Sequence, residues 1–311
     1  MMGKLVRNAV LLAVIQPVPG TDAVPTGALN AIMAMNISAQ PISAEFAKRN
    51  NIKPYFGNMG SVPVAVHAEV SFEIELAGAG AAGTAPKYGP LLRGCAFSET
   101  TSAGVSVTYA PVTEAQEAVT LYYNLDGILY RMTDAKGTVA FGLSAKGIPV
   151  MKYRFIGLYS TPTDTPTPVG VDYSGFKDPL AVNASNTPVA TLHGVAGKVQ
   201  SIDADMANQL VYRNLIGWEG ILITGREPTG SYVMELESVA TKDWYTTIKD
   251  GVLGTLSVTH GLTAGNIIQL AAPKVQVLDP SLSEADGISM LTCKLDLQPD
   301  VGNDEFILTV R

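Results

Sequence analysis

From residue 64 to residue 76 the chain alternates without interruption. Val64, Val66, Ala68, Val70, Phe72, Ile74 and Leu76 share one parity; Ala65, His67, Glu69, Ser71, Glu73 and Glu75 share the other. Strict period-two alternation predicts a strand with one buried and one wetted face. Beyond it, residues 86–95 predict a short helix with Pro86 near its first turn, where a missing N–H costs little. From Val105 the pattern is that of a β-meander. Asp126-Gly127, Lys136-Gly137 and Lys146-Gly147 supply turn signals between apolar runs at 119–124, 128–132, 138–143 and 149–159. The segment 160–168, with Pro162, Pro166 and Pro168, reads as a connector.

The second half has the same grammar. Strands are expected at 209–215, 221–224, 231–238, 255–260, 266–271, 275–278, 289–297 and 305–310, with an amphipathic helix at 241–249. Residues recur in order as well. Lys48-Arg49-Asn50-Asn51-Ile52 corresponds to Tyr212-Arg213-Asn214-Leu215-Ile216, and Ser71-Phe72-Glu73-Ile74-Glu75-Leu76 to Ser231-Tyr232-Val233-Met234-Glu235-Leu236. Gly147-Ile148 corresponds to Gly287-Ile288. Three matches in one order, around one strand–helix–strand succession, point to tandem duplication. The expected organisation is mainly β, with two β-sandwich or barrel domains at 1–168 and 169–311, each carrying one short flanking helix.

Composition narrows the class. The 311 residues are 47% hydrophobic and only 16% charged, below the usual quarter for soluble domains. So few charges suggest surface hidden against further copies of the chain. Lys4 and Arg7 precede an apolar run at 9–15, but seven residues followed by Pro17 and Pro19 make a poor secretory signal and are far short of a membrane span. The segment is expected to be a packed strand or arm, without a membrane anchor. Cys95 and Cys293 lie in apolar surroundings and read as buried free thiols of a reducing compartment. The net charge of −7 concentrates in residues 61–130 (net −5) and 201–311 (net −8), with no basic stripe. That balance disfavours sequence-independent DNA binding.

No catalytic constellation emerges. Gly78-Ala79-Gly80-Ala81-Ala82-Gly83 matches the dinucleotide fingerprint between a strand and a helix. Yet the preceding strand alternates with glutamates where a covered parallel strand would be continuously apolar, and no βαβ crossover follows. It reads as a loop of small residues, and no cofactor is expected. His67, His193 and His260 have no metal spacing and are expected at the surface or in turns. Asp203-Ala204-Asp205 with Asn208 hints at a cation loop but lacks the central glycine and the bidentate glutamate. Glu73 and Glu75 have a spacing compatible with glycosidase carboxylates, without the aromatic surroundings that hold a sugar.

The stretches Lys4-Leu5-Val6-Arg7, Leu11-Leu12-Ala13-Val14-Ile15, Gly20-Thr21-Asp22 and Pro25-Thr26-Gly27-Ala28 resemble the start of siphophage tail tube proteins. Residues 72–78 and 83–93 resemble the same family, as does Gly302-Asn303-Asp304-Glu305-Phe306-Ile307-Leu308. The resemblance implies a structural virion protein and not an enzyme. It implies rings stacked into a tube around a tape-measure protein, bounded by tail terminator and distal tail proteins and assembled in the host cytoplasm. Double-stranded DNA then leaves the capsid through the lumen without specific binding. Family members typically carry one such domain and form hexamers. Two domains here imply a homotrimeric ring of pseudo-sixfold symmetry. The acidic excess suggests a lumen lined by Glu69, Glu73, Glu75, Glu235 and Glu237, and loops at 77–85 and 161–170 are expected to fold on a neighbouring ring. The rival readings are a tail terminator or baseplate component of the same fold, and a carbohydrate-binding or adhesion β-sandwich. The second would display aromatic platforms, for which Trp218 and Trp244 are too few.

Overall fold

The computed structural model describes residues 3–311, of which 53% lie in strands and 5% in helices. In chain order the first half contains β1 (Ala9–Ile15), α1 (Gly27–Asn30), β2 (Ala31–Ile32), β3 (Met35–Lys48) and β4 (Ser61–Glu75). There follow α2 (Gly89–Gly94), β5 (Phe97–Ser102), β6 (Ser106–Pro111), β7 (Val119–Leu125), β8 (Ile128–Ser144), β9 (Val150–Tyr159) and β10 (Thr163–Asp164). The second half contains β11 (Val189–Leu192), β12 (Val195–Ala196), β13 (Val199–Asp205), β14 (Asn208–Leu215), β15 (Trp218–Arg226) and β16 (Thr229–Glu235). It ends with α3 (Trp244–Lys249), β17 (Leu253–His260), β18 (Ile268–Ala285), β19 (Ile288–Gln298) and β20 (Ile307–Val310). The architecture is mainly β, as the alternation requires.

Two long strands organise the molecule. β8 pairs with β7 along its first part, with β9 from Met132 onward, and with β10 at its start. β18 pairs in the same way with β17, β19 and β20. The scheme of the first half recurs in the second. The order β2–β1–β7–β8 corresponds to β12–β11–β17–β18, and β8–β9–β4–β3 corresponds to β18–β19–β16–β13. Registers correspond too: Ser71 and Phe72 face Arg154 and Tyr153, as Ser231 and Tyr232 face Lys294 and Cys293. The helices α2 and α3 both follow the strand that bears these residues. α3 is shorter than the sequence suggests because Asp243 caps it, its carboxylate accepting from the Thr246 N–H at 2.9 Å.

The halves are joined by sheet. β13 adds to the far edge of β8, from Ser201↔Ser144 to Asp205↔Ala140. The result is one antiparallel sheet of eight strands, β3-β4-β9-β8-β13-β16-β19-β18. A second link comes from the β5–β6 hairpin, whose Tyr109 faces Leu308 of β20. One face of the eight-stranded sheet buries Val70, Phe72, Ile74, Phe141, Tyr153, Phe155, Ile202, Tyr232, Met234 and Leu295. These pack in one continuous core with Leu11, Val119 and Leu121 of the covering layer and with Leu192, Leu256 and Val258 of its second-half counterpart. Cys95 and Cys293 are free and buried in that core, and burial pushes both thiols up.

Several local expectations change. Residues 128–132 and 138–143 form one strand, because Lys136-Gly137 makes no turn. The register shift between Thr133 and Lys136 absorbs the extra residue as a bulge. The Phe155 ring occupies the space a side chain at Gly137 would fill. Residues 266–271 and 275–278 likewise merge into β18, with the irregularity opposite Gly254 and Leu256. His260 is buried, contrary to its expected place at the surface. Its Nδ1 lies 2.9 Å from Thr187 Oγ1 and its Nε2 3.1 Å from the Leu180 carbonyl, so it latches the segment that leads from β10 into β11. Burial lowers its pKa from the ordinary histidine value.

Candidate functional site

Alternation places every second residue of the eight-stranded sheet on the face opposite the core. On β4 that face bears His67, Glu69, Ser71, Glu73 and Glu75. Pairing then fixes what lies beside them: Lys152 faces Glu73 and Arg154 faces Ser71 on β9, and Lys152 in turn faces Ala140 on β8. Across the junction, Ala140 and Gly142 face Asp205 and Asp203 of β13, which face Thr229 and Ser231 of β16. These face Asp296 and Lys294 of β19. Glu235 is on the same face, at the end of β16. The result is a continuous polar face in which carboxylates from both halves are interspersed with a few cations.

Local contacts set the charge of that face. Burial acts to raise the Glu69 carboxyl, but hydrogen bonds from Arg154 (2.7 Å) and His67 (3.1 Å), with the Arg154 charge, outweigh it. Glu69 is therefore held below the ordinary carboxylate range. Glu73 accepts from Asn36 Nδ2 at 2.8 Å, and Glu235 from Lys198 Nζ at 2.7 Å. Asp203 accepts from the Ser231 hydroxyl at 3.2 Å. Glu237 lies past the end of β16, outside the ladder. At one end of the face the β14–β15 hairpin leans on it, with Tyr212 5.1 Å from His67 by ring centroids. Of the five glutamates read from the sequence, Glu69, Glu73, Glu75 and Glu235 are brought onto one sheet face.

Sequence reasoning missed Asp203, Asp205 and Asp296, and the cations Lys152, Arg154 and Lys294 that break up the acidic field. The hint of a cation loop at Asp203-Ala204-Asp205 is corrected by β13: Asp203 lies within the strand and Asp205 ends it, with Ala204 buried between them and the Asp205 carboxylate accepting from the Ala207 N–H at 2.8 Å. Asn208 turns inward, donating to the carbonyls of Cys95 and Gly137. The available signal was the alternation of Ile202 and Ala204 with Ser201, Asp203 and Asp205. Among the described residues there is no group of three or more His, Cys, Asp or Glu side chains placed to hold a metal ion.

The glycine run at 78–83 has a structural use. The Gly78 N–H donates to Asn266 Oδ1 at 3.0 Å and the Gly80 N–H to the Gly265 carbonyl at 2.8 Å. A Cβ on Gly78 would stand 2.2 Å from that carbonyl oxygen. The run lets two main chains meet, and it docks on residues 265–266 of the second half. The connector at 161–170 is also held within the chain, through β10 and through Asn124 Nδ2 donating to the Thr165 carbonyl.

Two strand edges of the eight-stranded sheet are open. Among the described residues β3 pairs only with β4, and beyond Gln276 β18 pairs only with β19. No helix among the described residues is long and apolar enough to cross a membrane. Residues 6–296, nearly the whole chain, match a single family model, described as phage tail tube protein. The match runs across both halves. No curated protein matches the chain.

Proposed function

This chain belongs to the phage tail tube family, a structural component of the virion, and we propose that three copies close head to tail into a ring of pseudo-sixfold symmetry. Rings stack into the tail tube of a siphophage, around a tape-measure protein, with tail terminator and distal tail proteins at the two ends. The tube conducts DNA out of the capsid. The observation that carries this reading is the eight-stranded sheet, in which two corresponding four-stranded blocks are joined edge to edge and one open edge remains at each end. Contacts that repeat head to tail close into a ring when the rotation permits.

Size selects the number of copies. Neighbouring strands are about 4.8 Å apart and barrel strands tilt by about 40°. Three copies then contribute twenty-four strands, a barrel about 40–50 Å across between backbones. That is wide enough for a nucleic-acid duplex once side chains are allowed for. Six such chains would double the bore.

The side of the sheet away from the core is then the lumen wall. Glu69, Glu73, Glu75, Asp203, Asp205, Glu235 and Asp296 line it, with Glu237 at its margin. Lys152, Arg154 and Lys294 offset part of that charge. A wall of net negative sign repels phosphates, so DNA slides instead of adhering. Phage carrying Glu73→Lys, Glu75→Lys and Asp203→Lys should assemble tails and eject DNA about tenfold more slowly, the low end of rate effects from a reversed local field. Ejection followed by dye fluorescence reads this directly, and unchanged kinetics with normal tails would remove these residues from the lumen.

A further inference from the structure

The junction inside the chain is a template for the junction between chains, an inference that rests on the ring reading and adds the strands and their register. We propose that residues 37–40 of β3 pair antiparallel with residues 281–284 of β18 in the next copy. Gln40 then faces Ser281, Ala39 faces Leu282, Ser38 faces Ser283, and Ile37 faces Glu284.

The register follows from pairs already described. Within the chain Asp205 faces Ala140, Ala204 faces Phe141, and Asp203 faces Gly142. Asp203 also faces Ser231, which stands opposite Lys294, as Ser38 faces Ser71 opposite Arg154. Ser38, Ala39 and Gln40 therefore occupy the places of Asp203, Ala204 and Asp205. On the other strand, Ala140, Phe141 and Gly142 face Lys152, Met151 and Val150. The corresponding residues of β19, Thr292, Leu291 and Met290, face Ser281, Leu282 and Ser283.

Burial differs in the way an unmade copy of this junction requires. Phe141 is 1% exposed, Ile202 4% and Ala204 2%, whereas Leu282, at the place of Phe141, is 62% exposed. Ile37 and Ala39, at the places of Ile202 and Ala204, are only half-buried. Residues 281–283 carry no charge, although edge strands of lone proteins are commonly guarded by charged side chains. The ladder also ends where the template ends. Pro41 and Pro280 follow directly after Gln40 and precede Ser281, so they stand opposite each other, and neither offers an N–H to extend the pairing. Glu284 replaces Leu143 at the other end, which leaves Leu282 as the apolar anchor.

Cysteines at the facing pair test the register. Ser38→Cys with Ser283→Cys sets the two Cβ atoms about 4.5–5.5 Å apart across the junction, while Cys95 and Cys293 are buried and silent. Tails purified from particles carrying both substitutions, oxidised and then denatured without reductant, should give covalent dimers and trimers and nothing larger. Ser38→Cys with Glu284→Cys, which puts the thiols on opposite faces, should give none. Leu282→Asp alone should leave the single chain with an unchanged melting temperature and abolish assembly. Normal tails that show no cross-link at the first pair, or tubes formed by Leu282→Asp, would overturn this interface and leave the ring reading standing. A wild-type chain that forms neither rings nor tubes would overturn both.

Discussion

Glu305→Ala will lower the free energy of unfolding by about 3–5 kcal/mol, the range for one member lost from a buried ion pair. Glu305 accepts a hydrogen bond from Arg226 Nε, and the two side chains are 6% and 12% exposed. The guanidinium also donates to the Val112 carbonyl at 3.0 Å and to Asn303 Oδ1 at 3.1 Å. It thereby gathers the end of β15, the segment after β6 and the approach to β20. Removing the carboxylate leaves a charge that water barely reaches. Arg226→Met combined with Glu305→Leu removes both charges and should recover most of the loss, because no desolvated ion remains. Urea unfolding of the three chains measures both effects. A loss under about 1 kcal/mol for Glu305→Ala would class the pair with solvent-screened surface pairs instead.

Phe155→Ala will cost a similar 3–5 kcal/mol, as for other buried aromatic truncations. The ring is fully buried and lies 6.0 Å by centroids from both Phe72 and Tyr153. Its far wall is main chain, because a Cβ on Gly137 would come within 2.8 Å of the ring and one on Gly94 within 3.1 Å. Backbone fixed in a sheet and a helix cannot collapse into the hole, so the cavity persists. Phe155→Leu keeps most of the volume and should lose less than about 2 kcal/mol. Denaturant unfolding with an unchanged m value would establish that the loss is one of stability and not of compactness.

How far the sequence could be read depended on whether the deciding contacts were local. β4 was legible because thirteen residues alternate with nothing to contradict them. α2 and α3 were legible from proline placement and amphipathicity. β8 and β18 were each read as two strands, since Lys136-Gly137 and Pro273 look like breaks in sequence and become bulges only when β9 and β17 pair alongside. β3 and β13 were missed: Asn36, Pro41 and Asp203 speak for turns or loops, and only their partners β4, β16 and β8 hold them extended.

The candidate face divides along the same line. Glu69, Glu73 and Glu75 follow from parity on one strand. Asp203, Asp205 and Asp296 join them only through β13 crossing to β8, a pairing some sixty residues apart that no local pattern encodes. The order of recurring residues carried further. Ser71 and Ser231, matched in sequence, stand at corresponding places in the two halves of the sheet. His260 looked like a turn residue beside Gly261, and its burial depends on the segment before β11, eighty residues earlier.

The proposed ring is tested most directly by electron microscopy of tails or of tubes grown from the purified chain, with the number of chains per ring counted from the reconstruction. Three chains per ring, seen end-on with threefold symmetry and six similar lobes around an open bore, is the predicted result. Rings of six chains would contradict it, because six eight-stranded sheets would place twelve blocks around the axis and close on a bore about twice as wide.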